Sequence, residues 1–117
     1  MEKKSLMCIM IMLLLIFMLT SFHASAQDIA MANPMHAKVL ADTLGVRMIK
    51  VTLAPGEELA MHSHPVWMLY VIESGQLTGE NLKAGDYYHG SPTKHSLKNT
   101  GKTTCVFLDI EIKEERK

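Results

Sequence analysis

Turn-forming residues interrupt the chain at short intervals between Val46 and Ile112. The segments between these turns are too short for a helix of useful length, and none repeats its apolar residues with a helical period. Short apolar or alternating segments separated by glycine and proline are typical of a β-sandwich or β-barrel. The turns are Pro55-Gly56, Ser74-Gly75, Gly79, Ala84-Gly85-Asp86 and Thr100-Gly101. The sequence therefore predicts an all-β domain.

The individual segments predict the following organisation. The segment from Trp67 to Glu73 is the most apolar, and because it is apolar on both faces we expect a central strand that is covered on both sides. Further strands are expected within residues 46–53, 57–61, 87–89, 95–99 and 103–112. Residues 27–45 show no clear period and are expected to form a lead-in segment. One domain is then predicted over residues 46–112, followed by a charged tail at 113–117.

Residues 1–26 have the features of a secretory signal peptide. Lys3 and Lys4 precede an unbroken apolar run from Leu6 to Leu19, and the small residues Ala24-Ser25-Ala26 follow it. The run is shorter than the roughly 20 residues that a membrane-spanning helix needs, which favours a signal peptide over an uncleaved anchor. We expect cleavage after Ala26 and a periplasmic or secreted protein with no membrane association after signal cleavage.

Residues 27–117 are close to electrically neutral. Of the 12 basic and 12 acidic residues of the chain, Lys3, Lys4 and Glu2 belong to the signal, which leaves 10 against 11 and a net charge of −1 with neutral histidines. Nucleic-acid binding calls for a basic face, so no nucleic acid is expected as a partner. Cys105 is the single cysteine after the signal, which excludes an internal disulfide, and its apolar surroundings favour a buried, inert thiol.

His62-Ser63-His64 is the feature that most directly suggests chemistry. Residues two apart on a strand face the same side, so both imidazoles point into one space, and His95 at the start of a later strand can supply a third. Three neutral imidazoles suit Zn, Fe, Ni, Mn or Cu, and a three-ligand site leaves coordination positions for water or substrate. A lone His-x-His pair also occurs by chance on surface strands, so the pair alone does not establish a metal site.

The surroundings of these histidines resemble the two sequence motifs of the cupin superfamily. The first motif is a glycine, five residues, His-x-His, a glutamate and a later glycine, and it is matched at Gly56, His62, His64 and Gly75. The second motif is matched at Gly85-Asp86, Pro92, His95 and Asn99. The resemblance covers residues 46–112 and is closest to small single-domain cupins, or monocupins, with a His-Ser-His-Pro motif.

This resemblance implies a double-stranded β-helix, the cupin jelly-roll barrel, with a metal ion in its mouth. It implies that His62, His64 and His95 are the metal ligands and that Asn99 is structural. The chain departs from the family pattern at Met68, which occupies the position of the usual glutamate ligand. A site of three histidines without a carboxylate weakens the case for Mn and leaves one divalent ion of Zn, Fe, Ni or Cu.

Several other residues allow more than one interpretation. His89 is a further ligand or proton carrier, or a residue of the pocket rim. Met68 and Tyr70 have even spacing and are candidates to line the pocket, although core packing is an alternative. Trp67, Leu69 and Val71 would share the opposite face of the strand, packed under the lead-in or forming a dimer patch. His36 is expected at the surface.

The connection between the two motifs predicts an oligomer. Only residues 76–84 separate the first motif from the second, so the hairpin that joins them is short and we expect an exposed barrel edge. An exposed edge favours pairing with another subunit, and we expect a homodimer.

Three functions fit the sequence. The first is an exported metal-binding cupin that acts as a metal-dependent enzyme, of the dioxygenase or isomerase type, on a small organic molecule. The second is a non-catalytic module that binds a small ligand or the metal alone. The third is a structural dimer with a vestigial site. The sequence leaves open whether the protein is an enzyme, because the cupin fold hosts all three classes.

Overall fold

The computed structural model describes residue 7 and residues 27–113. The rest of the predicted signal peptide and residues 114–117 of the predicted tail lie outside the described residues. The elements from residue 27 onward are α1 (Ile29–Ala32), β1 (Ala37–Thr43), β2 (Val46–Leu53), β3 (Glu58–His64), β4 (Val66–Glu73), β5 (Gly75–Leu77), β6 (Glu80–Leu82), β7 (Tyr87–Gly90), β8 (Thr93–Lys98) and β9 (Cys105–Ile112). Within this part of the chain, no helix is long and apolar enough to cross a membrane.

The strands form one large and two small antiparallel sheets. The large sheet has five strands in the order β1-β2-β9-β4-β7, while β3 pairs with β8 and β5 pairs with β6. Buried apolar side chains from these sheets and from α1 pack into a single core. The structure confirms the predicted all-β class and the double-stranded β-helix barrel.

Strand β9 lies at the centre of the large sheet and organises the core. Phe107 is the largest fully buried side chain, and it stands in register with Val51 on β2 and with Val71 on β4. Because side chains alternate along a strand, the partners of Phe107 project into the same interior. The face that carries Phe107 is therefore the inner face of the barrel.

The lead-in region is more ordered than the sequence indicates. Residues 27–45 contain α1 and β1, and β1 is an edge strand of the large sheet. Asp28 caps α1 by accepting a hydrogen bond from the Met31 amide. Only Ala37 is buried in β1, so this strand has no apolar alternation by which it could be recognised. The barrel thus begins at Ala37, ahead of the predicted boundary at Val46.

The expectation that both faces of β4 are covered is wrong. Trp67, Leu69 and Val71 face the interior, whereas Met68 and Tyr70 on the other face are exposed. The apolar character of β4 therefore combines a core face with a second apolar face at the surface of the sheet.

Two residues of the cupin motifs have clear structural roles. Asn99 is fully buried, donates hydrogen bonds to the carbonyl oxygens of Leu53 and Thr103, and accepts one from the Gly101 amide, which confirms its structural role. Gly75 packs so closely on Cys105 that a Cβ atom at position 75 would lie 2.7 Å from the Cβ of Cys105. Cys105 is free and buried, as expected, and burial raises the pKa of its thiol.

Candidate metal centre

The three predicted ligands meet at the paired strands β3 and β8. His62 and His95 are direct partners in the register of these strands, and His64 lies two residues further along β3 on the same side. His62 and His64 are buried and His95 is half-buried. Their candidate ligand atoms all lie within 4.8 Å of one another, so the structure brings the three histidines together as the sequence predicts.

The Nδ1 atoms of His62 and His64 are occupied by acceptors of the protein. Nδ1 of His62 lies 2.7 Å from the carbonyl oxygen of Ala60, and Nδ1 of His64 lies 3.0 Å from Oε1 of Glu111. Carbonyl and carboxylate oxygens only accept, so both Nδ1 atoms carry the proton and donate it. In the neutral form of each ring, the Nε2 atom is then left with a free lone pair.

The Nε2 atoms converge on one point. That of His64 lies 2.9 Å from Nε2 of His62 and 3.1 Å from Nε2 of His95. Two lone pairs at such distances repel each other unless a proton or a cation lies between them. Two nitrogen ligands of one tetrahedral zinc ion would be about 3.3 Å apart, so the cluster matches the donor set and the spacing that a transition metal requires.

The ring planes are also arranged for a common ligand. The angle between the planes is 89° for His62 and His64, 65° for His62 and His95, and 84° for His64 and His95. The rings are thus not stacked, and each approaches the shared point along a different direction.

Two acidic residues that sequence reasoning missed lie behind His64. Besides Glu111, Oδ2 of Asp109 is 3.1 Å from Nδ1 of His64, and both acids are buried. This oxygen has no hydrogen-bond partner among the described residues. Carboxylates behind a ligating histidine fix its tautomer and make it a stronger donor to a metal.

A signal for these acids was present in the sequence. Asp109 and Glu111 lie two and four residues after Phe107 on β9, so the three side chains share one face of the strand. If Phe107 points inward, both acids also point inward. Arg47, the register partner of Glu111 on β2, also lies near it, with a guanidinium nitrogen 3.8 Å from Oε2 of Glu111. The missing step was to know which face of β9 is buried.

The histidines differ in their affinity for protons. Burial disfavours the charged form of His64, but Asp109 and Glu111 outweigh burial and raise the pKa of His64 to about 9. Burial, followed by the neighbouring His62 and His64, lowers the pKa of His95 to about 4. Burial also lowers the pKa of His62, against the opposing hydrogen bond to Ala60. Near neutral pH the metal-free cluster therefore carries one additional proton, on His64, whose ring is positively charged, while His62 and His95 are neutral.

The predictions for Met68, Tyr70 and His89 are corrected by the structure. The cavity beside the histidines is lined by Trp67, Leu69 and Tyr88, and not by Met68 or Tyr70. His89 is exposed and is the register partner of Met68 on the outer face of the sheet, so it is neither a fourth ligand nor a proton carrier in the cavity. These predictions assigned the wrong face of β4 to the cavity, because both faces are apolar and the sequence does not show which one points inward.

A cavity of about 420 Å³ adjoins the histidine cluster. His64 and His95 form part of its wall, together with Asp109. The fold and this site thus define a class of protein: a single β-helix barrel with a three-histidine cluster, capable of holding a metal ion, beside an open cavity. The family is identified by comparison with known sequences. The chain belongs to the cupin family, because a family model described as "Cupin domain" matches residues 49–111.

Solved structures are similar to this chain over most of the barrel. A cupin domain from Bordetella pertussis Tohama I is 25% identical, with a TM-score of 0.61, and the match covers 67% of this chain and 92% of the other. A protein with a double-stranded β-helix domain from Klebsiella pneumoniae is 26% identical, with a TM-score of 0.54 and coverages of 63% and 72%. An RmlC-like cupin family protein from Methanocaldococcus jannaschii is 20% identical, with a TM-score of 0.57 and coverages of 66% and 78%, a likeness that shows the fold alone. No curated protein matches the chain.

Proposed function

We propose that this protein is an exported metal-binding cupin in which His62, His64 and His95 hold one divalent transition metal ion. The observation that carries the proposal is the convergence of three Nε2 atoms, with 2.9 and 3.1 Å between neighbours, while the protein itself occupies Nδ1 of two of the rings. Neutral imidazoles without a carboxylate ligand favour Zn, Fe, Ni or Cu. The test is element analysis of the protein purified from the export compartment of cells that express the full chain.

That experiment also tests export. We expect about one equivalent of metal and an N-terminus at Gln27, as for a signal peptide that is cleaved after Ala26. Stoichiometric metal in protein that is recovered only from the cytoplasm, with its original N-terminus, would retain the metal proposal and overturn export. Protein that lacks metal and cannot be loaded with Zn, Fe, Ni or Cu would overturn the metal proposal.

The cavity beside the cluster supports a role in binding a small organic molecule. Its volume of about 420 Å³ lies in the range of small-molecule sites. A metal on three histidines leaves coordination positions open, and a bound metal would supply Lewis-acid or, for iron and copper, redox chemistry. The catalytic proposal is a dioxygenase or isomerase type of reaction. Oxygen uptake by the iron-loaded protein with phenols and diketones tests the dioxygenase form, and conversion of these compounds without oxygen uptake tests the isomerase form. Metal and ligand binding without either reaction would support a binding module instead.

Zinc binding should strengthen as pH rises from 6.5 towards 9. The pKa of His64 is raised, so its protonated form stabilises the metal-free fold below pH 6.5, and this contribution is lost as pH rises through 9. Zinc must displace that proton, while His62 and His95, with lowered pKa values, are already neutral. We expect the association constant for zinc to rise about tenfold per pH unit, measured by competition with a chelator between pH 6.5 and 8.5.

The variant Glu111→Gln provides the control for this pH dependence. It keeps an acceptor for Nδ1 of His64 but removes a negative charge, so the pKa of His64 should fall. The association constant for zinc should then stop rising at a lower pH than in the wild-type protein. Histidine ligands with the ordinary pKa of about 6.5 would lose zinc affinity only below that pH, and the raised pKa of His64 extends the loss upward. A zinc affinity that does not change between pH 6.5 and 8.5 in the wild-type protein would contradict this assignment.

We further propose that two copies of the chain associate through the outer face of the large sheet. Exposed apolar side chains lie side by side on this face, among them Val46, Val66, Met68, Tyr70, Tyr87 and Ile112. Apolar side chains that adjoin in this way form an exposed patch, and large exposed apolar patches mark interaction surfaces. A self-complementary patch of this kind suits a two-fold dimer. The sheet face thus supports the homodimer more directly than the short hairpin does.

The variant Met68→Lys should convert this dimer to a monomer. A charge at the centre of the buried patch is left without a partner, and we expect the dissociation constant to rise at least about a hundredfold. Sedimentation equilibrium of residues 27–117 measures it. Met61→Lys is the matched control, because Met61 is exposed on β3, outside the large sheet. A wild-type protein that is monomeric at about 100 μM would contradict the proposal.

A further inference from the structure

The wall of the cavity is apolar over most of its extent. The residues that form this apolar part include Ile29, Trp67, Leu69, Leu82, Leu97 and Phe107. Three of them, Ile29, Leu82 and Phe107, are buried members of the core cluster, so the cavity is an extension of the hydrophobic core. A polar molecule in such a space would lose its hydrogen bonds to water and regain few of them.

The polar groups of the cavity are concentrated at two places. His64, His95, Asp109 and Thr93, which is the register partner of His64, lie at the candidate metal centre, and Asp109 is buried. Thr78, Glu80 and Tyr88 are exposed lining residues and mark the opening to solvent. The remaining lining residues are apolar.

The charges that face the cavity disfavour anions. Glu80 stands at the opening and Asp109 stands inside, whereas none of the described lining residues is a lysine or an arginine. Carboxylate and phosphate ligands are normally held by such cations, and by arginine in particular. A divalent ion on the three histidines would attract an anion, but the buried carboxylates of Asp109 and Glu111 behind His64 offset its two charges. An anionic molecule would therefore gain little from the metal and would find no basic side chain among the described lining residues.

The volume limits the size of the ligand. A closed apolar cavity of roughly 150 Å³ accommodates benzene. The present cavity, at about 420 Å³, is nearly three times as large, and part of that space belongs to its opening. A molecule with one or two rings fits it.

We infer that the ligand of this protein is a neutral, mainly apolar molecule of one or two rings that presents a single donor atom, such as a ketone or phenol oxygen, to the metal centre. The inference rests on the proposed function and names the class of molecule for the same site. It excludes sugars, dicarboxylates and phosphate esters, which need hydrogen bonds or cations that the wall does not supply.

Trp67 provides the measurement. It is the single tryptophan of the chain, lines the cavity, and donates its indole N–H to the carbonyl oxygen of Ser91. The protein therefore gives one indole resonance in a nitrogen–proton correlation spectrum. The probes are 2-acetonaphthone, the anion 2-naphthoate, which is matched to it in size, and glucose, each titrated into the zinc-loaded protein of residues 27–117.

We expect 2-acetonaphthone to shift the Trp67 resonance with saturation and with a dissociation constant at least about tenfold lower than that of 2-naphthoate, and glucose to leave it unchanged. Leu69→Gln should weaken binding of the ketone at least about tenfold because Leu69 lines the cavity. Met68→Gln, on the neighbouring residue at the outer face, should leave binding unchanged. If Leu69→Gln does not fold, Leu97→Gln serves in its place.

The metal content of the same samples separates the two proposals. Zinc-loaded protein that does not bind the ketone, or that binds 2-naphthoate or glucose as tightly, would overturn the inference and leave the metal proposal standing. Protein that binds the ketone but no zinc would support the ligand class and overturn the metal centre. A Leu69→Gln protein that binds the ketone like the wild type would overturn the assignment of the cavity.

Discussion

His62→Ala, His64→Ala and His95→Ala should each reduce bound metal from about one equivalent to less than a tenth. Each change removes one of three Nε2 donors that converge within 4.8 Å. Two neutral imidazoles hold a divalent ion far more weakly than three, because each lost bond is replaced only by water. The measurement is element analysis after dialysis against a weak chelator, together with a zinc titration of the metal-free protein.

The two remaining histidines that the structure describes are the matched controls. His89→Ala alters an exposed residue on the outer face of the sheet, and His36→Ala alters a ring whose Nδ1 lies 3.4 Å from Oε2 of Glu57. Both variants should retain wild-type metal content. Equal loss of metal in the control variants would show nonspecific binding, and retention of metal in all three cluster variants would refute the assigned ligands.

Phe107→Ala should lower the free energy of unfolding of the metal-free protein by about 3–5 kcal/mol. Phe107 is 1% exposed, and it is in register with Val51 and Val71, which are both fully buried. Truncation removes the apolar contacts of the ring and leaves a void, and domains of this kind are stable by only about 5–15 kcal/mol in total. Urea denaturation followed by circular dichroism measures the change.

Tyr87→Ala is the control for this prediction, because Tyr87 is 63% exposed on β7. In the monomer it should change the free energy of unfolding by no more than about 0.5 kcal/mol. The Met68→Lys background keeps both proteins monomeric, so the comparison does not depend on the proposed dimer. A loss below 1 kcal/mol for Phe107→Ala would show that the inner face of β9 is not tightly packed. Such a result would also weaken the description of the cavity, since Phe107 forms part of its wall.

Part of the metal centre was predictable from the sequence, because the direction of neighbouring side chains on a strand depends only on their spacing along the chain. His62 and His64 share a face in any extended segment, and the family resemblance supplied His95. The turn glycines and proline marked most strand boundaries because they act on their own neighbours in the chain. Strand β1 was not predicted, because it is an edge strand that buries only Ala37 and so shows no alternation of apolar and polar residues.

By itself, the sequence thus determined the barrel class, the family resemblance and the three histidines, all of which depend on residue types and spacings along the chain. The tertiary structure decided the rest: that Leu69 and not Met68 faces the cavity, that His89 lies outside, and that Asp109 and Glu111 stand behind His64. The physical reason is that a strand which is apolar on both faces does not reveal its inner face. That choice is made by long-range pairing with β9, where Phe107 packs into the core and brings the two acids inward with it.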